Sequence, residues 1–105
     1  MAWVYLFVAG LLEVLWAYSM KHAEGFSRPM ASAVTIVAMI ASFWLLALAM
    51  RTLPLGTSYA VWTGIGAVGA FIVGIVGFGE TTSLMRLMAA AFIITGLVLM
   101  KLSSP

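Results

Sequence analysis

An all-α membrane protein with four transmembrane helices is the fold this sequence predicts, and three observations predict it. Hydrophobic residues make up 65% of the chain and charged residues 8%, with a mean hydropathy of +1.19; a soluble domain runs near 45–50% and about 25%. Apart from Glu13, Arg86 and Lys101, the charged residues gather in three short connectors, at 21–28, 51–56 and 79–83. The stretches between them are each close to the roughly 20 residues that a helix needs to cross a bilayer. The predicted spans are 2–20, 29–50, 57–78 and 84–101, forming one transmembrane domain over residues 1–105. That length holds a single bundle and leaves no room for a separate soluble domain.

Span 2–20 carries one charge, Glu13, inside AGLLEVLWA (residues 9–17). A central acidic residue costs roughly 3 kcal/mol to insert, and such residues usually face a bundle interior or a watery pathway. The segment lacks a basic start and carries Glu13 where a signal peptide would be apolar, so it reads as a span. On a helix Gly10, Glu13, Trp16 and Ala17 share a face. Gly10 leaves space one turn before the carboxylate, and Trp16 offers an indole N–H one turn after it. Gly25 closes the connector that follows, where His22 between Lys21 and Glu24 reads as a solvated histidine.

Span 29–50 opens on Pro29, suited to a first helical turn. Only Ser42 among its polar residues reaches the depth of Glu13. Its hydroxyl either bonds back to the carbonyl one turn earlier, or it donates to a carboxylate or lines the cavity, and sequence leaves these open.

Pro54 and Gly56 punctuate the next connector. In span 57–78, Tyr59 and Trp62 share a face early in the helix. The interfacial aromatic belt accounts for Trp3 and Tyr5 better than for Trp62, which lies deeper. Gly64, Gly66 and Gly69 follow. Glycines cost up to about 1 kcal/mol each in a helix, but in lipid they let helices approach and permit a bend, so this stretch is the expected hinge. Glu80 and Arg86 read as a headgroup-level ion pair, and the small residues of span 84–101 suit oligomer contact.

Zero cysteines exclude disulfides and thiolate metal sites, and no metal or other cofactor is expected. Five scattered basic residues form no stripe for nucleic acid. With four spans, Arg51 and Lys101 lie on one side of the membrane and Lys21, Arg28 and Arg86 on the other; the α-amino group makes the tally equal. Orientation follows a Lys/Arg excess on the cytoplasmic side, so this chain is expected to insert both ways and to pair with its inverted copy. Four short helices have too few inward residues to enclose a substrate, and an antiparallel, dual-topology homodimer brings two Glu13 carboxyls to one cavity. They would hold protons or a cation in turn. Trp16, Tyr59 and Trp62 offer ring faces to a cation, and the paired N–H groups of a guanidinium fit a carboxylate bidentately.

The whole chain resembles the small multidrug resistance family in its length, its four spans, its one glutamate in the first and the GTSYAVWTGIGAVG stretch (residues 56–69). Glu13-Val14-Leu15-Trp16-Ala17 resembles the guanidinium exporter subtype, since the multidrug subtype usually has a small residue where Trp16 stands. The resemblance implies a transporter, not an enzyme, that exchanges protons for guanidinium-like cations across the inner membrane. Glu13 would be the shared proton and substrate site, Trp16 and Ser42 its hydrogen-bonding neighbours, Tyr59 and Trp62 the pocket aromatics, and Gly10 the small residue beside the acid. A close rival is an exporter of quaternary ammonium or aromatic cations, for which Met39 and Phe43 could flank a lateral opening. A non-transporting membrane subunit or small channel is the third reading.

Overall fold

The computed structural model describes residues 1–103 as four helices. They are α1 (Ala2–His22), α2 (Pro29–Ala49), α3 (Leu55–Phe78) and α4 (Leu84–Ser103). All four are long and apolar enough to cross a membrane. The ends differ from expectation by one or two residues, each for a local reason. Lys21 and His22 extend α1, and basic groups in a last turn complement the helix dipole. Pro54 takes an extended conformation (φ −61°, ψ 152°) and caps α3, so Leu55 and Gly56 lie inside the helix and Gly56 does not punctuate the connector.

The α1–α2 connector turns through three left-handed residues, Glu24 (φ 48°), Gly25 (φ 73°) and Phe26 (φ 67°). It is closed by a hydrogen bond from the Ser27 amide to the Ala23 carbonyl (2.9 Å). An exposed Arg28–Glu24 ion pair (3.1 Å) braces it, and an exposed pair at this spacing adds little. At the end of α3, Gly79 (φ 65°) is the left-handed cap, and the Glu80 amide reaches back to the Gly74 carbonyl at 3.1 Å.

α1 packs against both α2 and α3, while α4 packs against α3. The result is a slab with extents of 43 × 35 × 16 Å. Its core gathers Leu6, Ala9, Leu46, Ala49, Val61 and Trp62 at the end nearer the chain termini. α4 contributes no buried residue. Thr35, Thr63 and Thr95 satisfy their hydroxyls on the carbonyl four residues earlier, at 2.8 Å each, so these groups carry no interhelical information. α3 is helical without interruption through Gly64, Gly66 and Gly69.

Candidate functional site

α1 and α3 run in the same direction and meet through missing side chains. An ideal Cβ on the buried Gly10 would lie 2.6 Å from Cγ2 of Ile65. One turn later the Glu13 carboxyl occupies the place where a Cβ on Gly66 would stand, and Val14 fills the space left by Gly69. Gly64 turns elsewhere, toward Leu97 of α4. The three glycines expected to form a hinge also serve as notches for two different helices. Small residues at such contacts let backbones approach where no hydrophobic driving force separates helix from lipid.

Glu13 is half-buried and is the one acidic residue within the four helices. The only ion pair among the described residues is Arg28–Glu24, so no basic group neutralises Glu13. No hydrogen bond joins its carboxyl to Trp16, Ser42, Tyr59 or Trp62 within the chain. The indole Nε1 of Trp16 is buried and has no partner among the described residues. A buried indole N–H normally finds an acceptor, and the described residues of one chain supply none.

Ser42 bonds neither the carbonyl one turn earlier nor a carboxylate. Its fully buried hydroxyl donates to the Ala9 carbonyl of α1 at 2.7 Å, and it accepts the Trp62 indole N–H at 2.9 Å. Three helices are thereby tied by two hydrogen bonds. The acceptor matters, because helix periodicity directs the Glu13 amide to the same Ala9 carbonyl. Ser42 therefore touches the turn that carries the acid without touching the acid itself. Trp62 is also ringed by aromatics, with Tyr59 at 5.5 Å and Phe43 at 5.6 Å between centroids. Tyr59 and Phe43 are both exposed and Met39 is half-buried. Phe43 therefore links the outer face of α2 to the buried indole.

Two sequence expectations are corrected at the opposite end. Glu80 and Arg86 form no ion pair: the Glu80 carboxylate rests against Gly74, where an ideal Cβ would lie 2.6 Å from Oε1. Arg86 donates to the Thr81 carbonyl at 3.4 Å and places its guanidinium 5.6 Å from the Phe71 ring centre. The left-handed cap at Gly79 turns Glu80 back along α3 into the Gly74 notch. His22 is exposed but not simply solvated, since its ring meets Tyr18 edge-on at 4.7 Å and Phe78 at 5.0 Å. The four-residue spacing of Tyr18 and His22 was the available signal for that contact. No group of His, Cys, Asp or Glu suited to a metal ion occurs among the described residues.

Comparison with known proteins adds to this geometry. A family model described as Small Multidrug Resistance protein matches residues 1–93. The chain is 56% identical over 104 residues to a protein named Guanidinium exporter from Yersinia pseudotuberculosis, covering 99% of this chain and 100% of that one. It is likewise 56% identical to one so named from Escherichia coli K12, covering 99% of each. A third from Proteus vulgaris is 52% identical, covering 99% of this chain and 100% of its own length.

Proposed function

This chain belongs to the small multidrug resistance family, a multi-pass membrane protein within it, and we propose that it exports guanidinium and small guanidinyl cations across the cell inner membrane in exchange for protons. The observation that carries the reading is Glu13. It is the one acid within the helices, it is half-buried, and no basic residue neutralises it. A carboxylate so placed calls for a mobile counter-charge, either a proton or a cation, and the two compete for the same oxygens. Full-length identity of 56% to proteins named Guanidinium exporter supports the planar cation as substrate.

The working unit is an antiparallel homodimer of oppositely inserted copies, with both Glu13 carboxyls facing one cavity. Trp16 brings an unpartnered indole N–H to it. Gly10 leaves room beside the acid, Tyr59 and Trp62 present ring faces to the cation, and Ser42 holds Trp62 and the Ala9 turn in register. Switching between inward- and outward-open forms bends α3 at Gly64, Gly66 and Gly69. Only loaded states switch, so a cation leaves as protons enter.

A second reading, export of quaternary ammonium ions, is favoured by one observation. Phe43 is exposed on α2 yet packs on the Trp62 ring, and with Met39 it offers an alkyl tail a way from lipid. The deciding experiment measures proton movement in proteoliposomes driven by guanidinium, a methylguanidinium and a tetraalkylammonium ion. Guanidinium-driven proton movement supports the proposal. Its absence, with movement driven by the tetraalkylammonium ion, transfers the conclusion to the second reading.

A further inference from the structure

We infer that the cavity between the later halves of α1 and α3 is a binding site for a phospholipid with a primary-amine headgroup. The cavity has a volume of about 370 Å³, and Lys21, Glu80 and Arg86 all line it. That volume falls within the usual range of small-molecule sites, about 300–1,000 Å³. It runs from Val14 and Ala67 to the ends of α1 and α3 and the connector beyond, where Lys21, Glu80 and Arg86 mark the headgroup region.

The three charges share this cavity without pairing with one another, since the only ion pair among the described residues is Arg28–Glu24. Each is held by something else. Lys21 lies 5.6 Å above the Phe78 ring, Arg86 lies 5.6 Å above the Phe71 ring, and Glu80 sits in the Gly74 notch. The site thus presents two cations and one anion to a common space. A phosphate diester between Lys21 and Arg86, with an ammonium N–H donor on Glu80, matches that arrangement. Two of the three rings lining the cavity, Phe71 and Phe78, already carry the protein's own cations, and Tyr18 packs on His22 and Phe78, so a free cationic substrate would face two like charges here. The inner wall, at Val14, Ala17 and Ala70, is apolar and receives the start of an acyl chain.

Phosphatidylglycerol supplies the phosphate but no amine, and the trimethylammonium of phosphatidylcholine has no N–H for Glu80. The site therefore selects phosphatidylethanolamine. The test is native mass spectrometry of delipidated protein given equal amounts of the three lipids, with inorganic phosphate in a parallel arm. The expected result is preferential retention of phosphatidylethanolamine, reduced about tenfold or more in the Lys21→Gln/Arg86→Gln double variant. Glu80→Gln is expected to erase the preference over phosphatidylglycerol. Ala70→Phe, which fills the inner wall and leaves every charge in place, is expected to lower retention as well, with helix content checked by circular dichroism for each variant. Equal retention of the three lipids by the unaltered protein overturns the inference. So does undiminished retention in the double variant, or binding of inorganic phosphate with no lipid retained.

Discussion

The Glu13 carboxyl lies in the space that a side chain on residue 66 would take, so α1 brings its acid this close to α3 only because Gly66 has none. Gly66→Ala must displace the carboxyl or part the two helices, and overpacking of this kind costs about 1–3 kcal/mol. The expected outcome is weaker guanidinium binding, read by calorimetry in detergent, together with a lower thermal midpoint. Gly56→Ala is the control, because nothing lies within 4 Å of its ideal Cβ. It is expected to leave both readouts unchanged or slightly raise the midpoint.

If protons and guanidinium compete for Glu13, affinity depends on pH with a fixed sign. At low pH the carboxyl is protonated and neutral and has lost its attraction for a cation. Apparent affinity then rises with pH, by up to about tenfold per unit for each proton displaced, and levels off once the carboxyls are ionised. Calorimetry across a pH series checks this. Glu13→Gln is expected to abolish coupled proton movement while the dimer survives in size-exclusion chromatography.

Ser42→Ala removes the donor to Ala9 and strands the Trp62 indole N–H. The expected loss is about 1 kcal/mol of stability, at the lower end for stranding a buried polar group and typical of hydrogen bonds between membrane helices. A cycle with Trp62→Phe separates the bond from the rest. The double variant should be less destabilised than the sum of the single ones, since each single change breaks the same bond.

Lys101 Nζ lies 4.4 Å from the centre of the Trp3 ring and joins the end of α4 to the start of α1. Lys101→Gln keeps the length and loses the charge. It should cost about 0.5–1 kcal/mol, seen as faster proteolysis near the C-terminus, with Trp3→Leu giving the same effect and the pair together no more than either.

Reporter tags on the termini are expected to register both orientations in one membrane preparation. Two lysines added to the 79–83 connector unbalance the tally and should drive most molecules into one orientation.

The four spans were readable because lipid imposes one length and one polarity on every crossing segment, and Glu13 because no neighbour hides its charge. Pro29 at the first turn of α2 followed from its missing N–H. What periodicity could not give was register between helices. Ser42 has the right depth in the sequence, but its Ala9 partner lies 33 residues away, and only packing selects that carbonyl. The occupant of the Gly66 notch belongs to another helix, so no pattern within α3 reveals it. The spacing of Glu80 and Arg86 allows a pair, yet the Gly74 notch holds one and the Thr81 carbonyl the other.

A body 16 Å through its thinnest dimension, with no buried residue on α4, has two outer faces and almost no inside. If a second copy completes it as proposed, that copy arrives from the surrounding membrane, and the folded state is governed by mass action in two dimensions. For such a protein the unfolding temperature is a function of the protein-to-lipid ratio. Dilution into excess lipid would then act on it much as denaturant acts on a soluble domain.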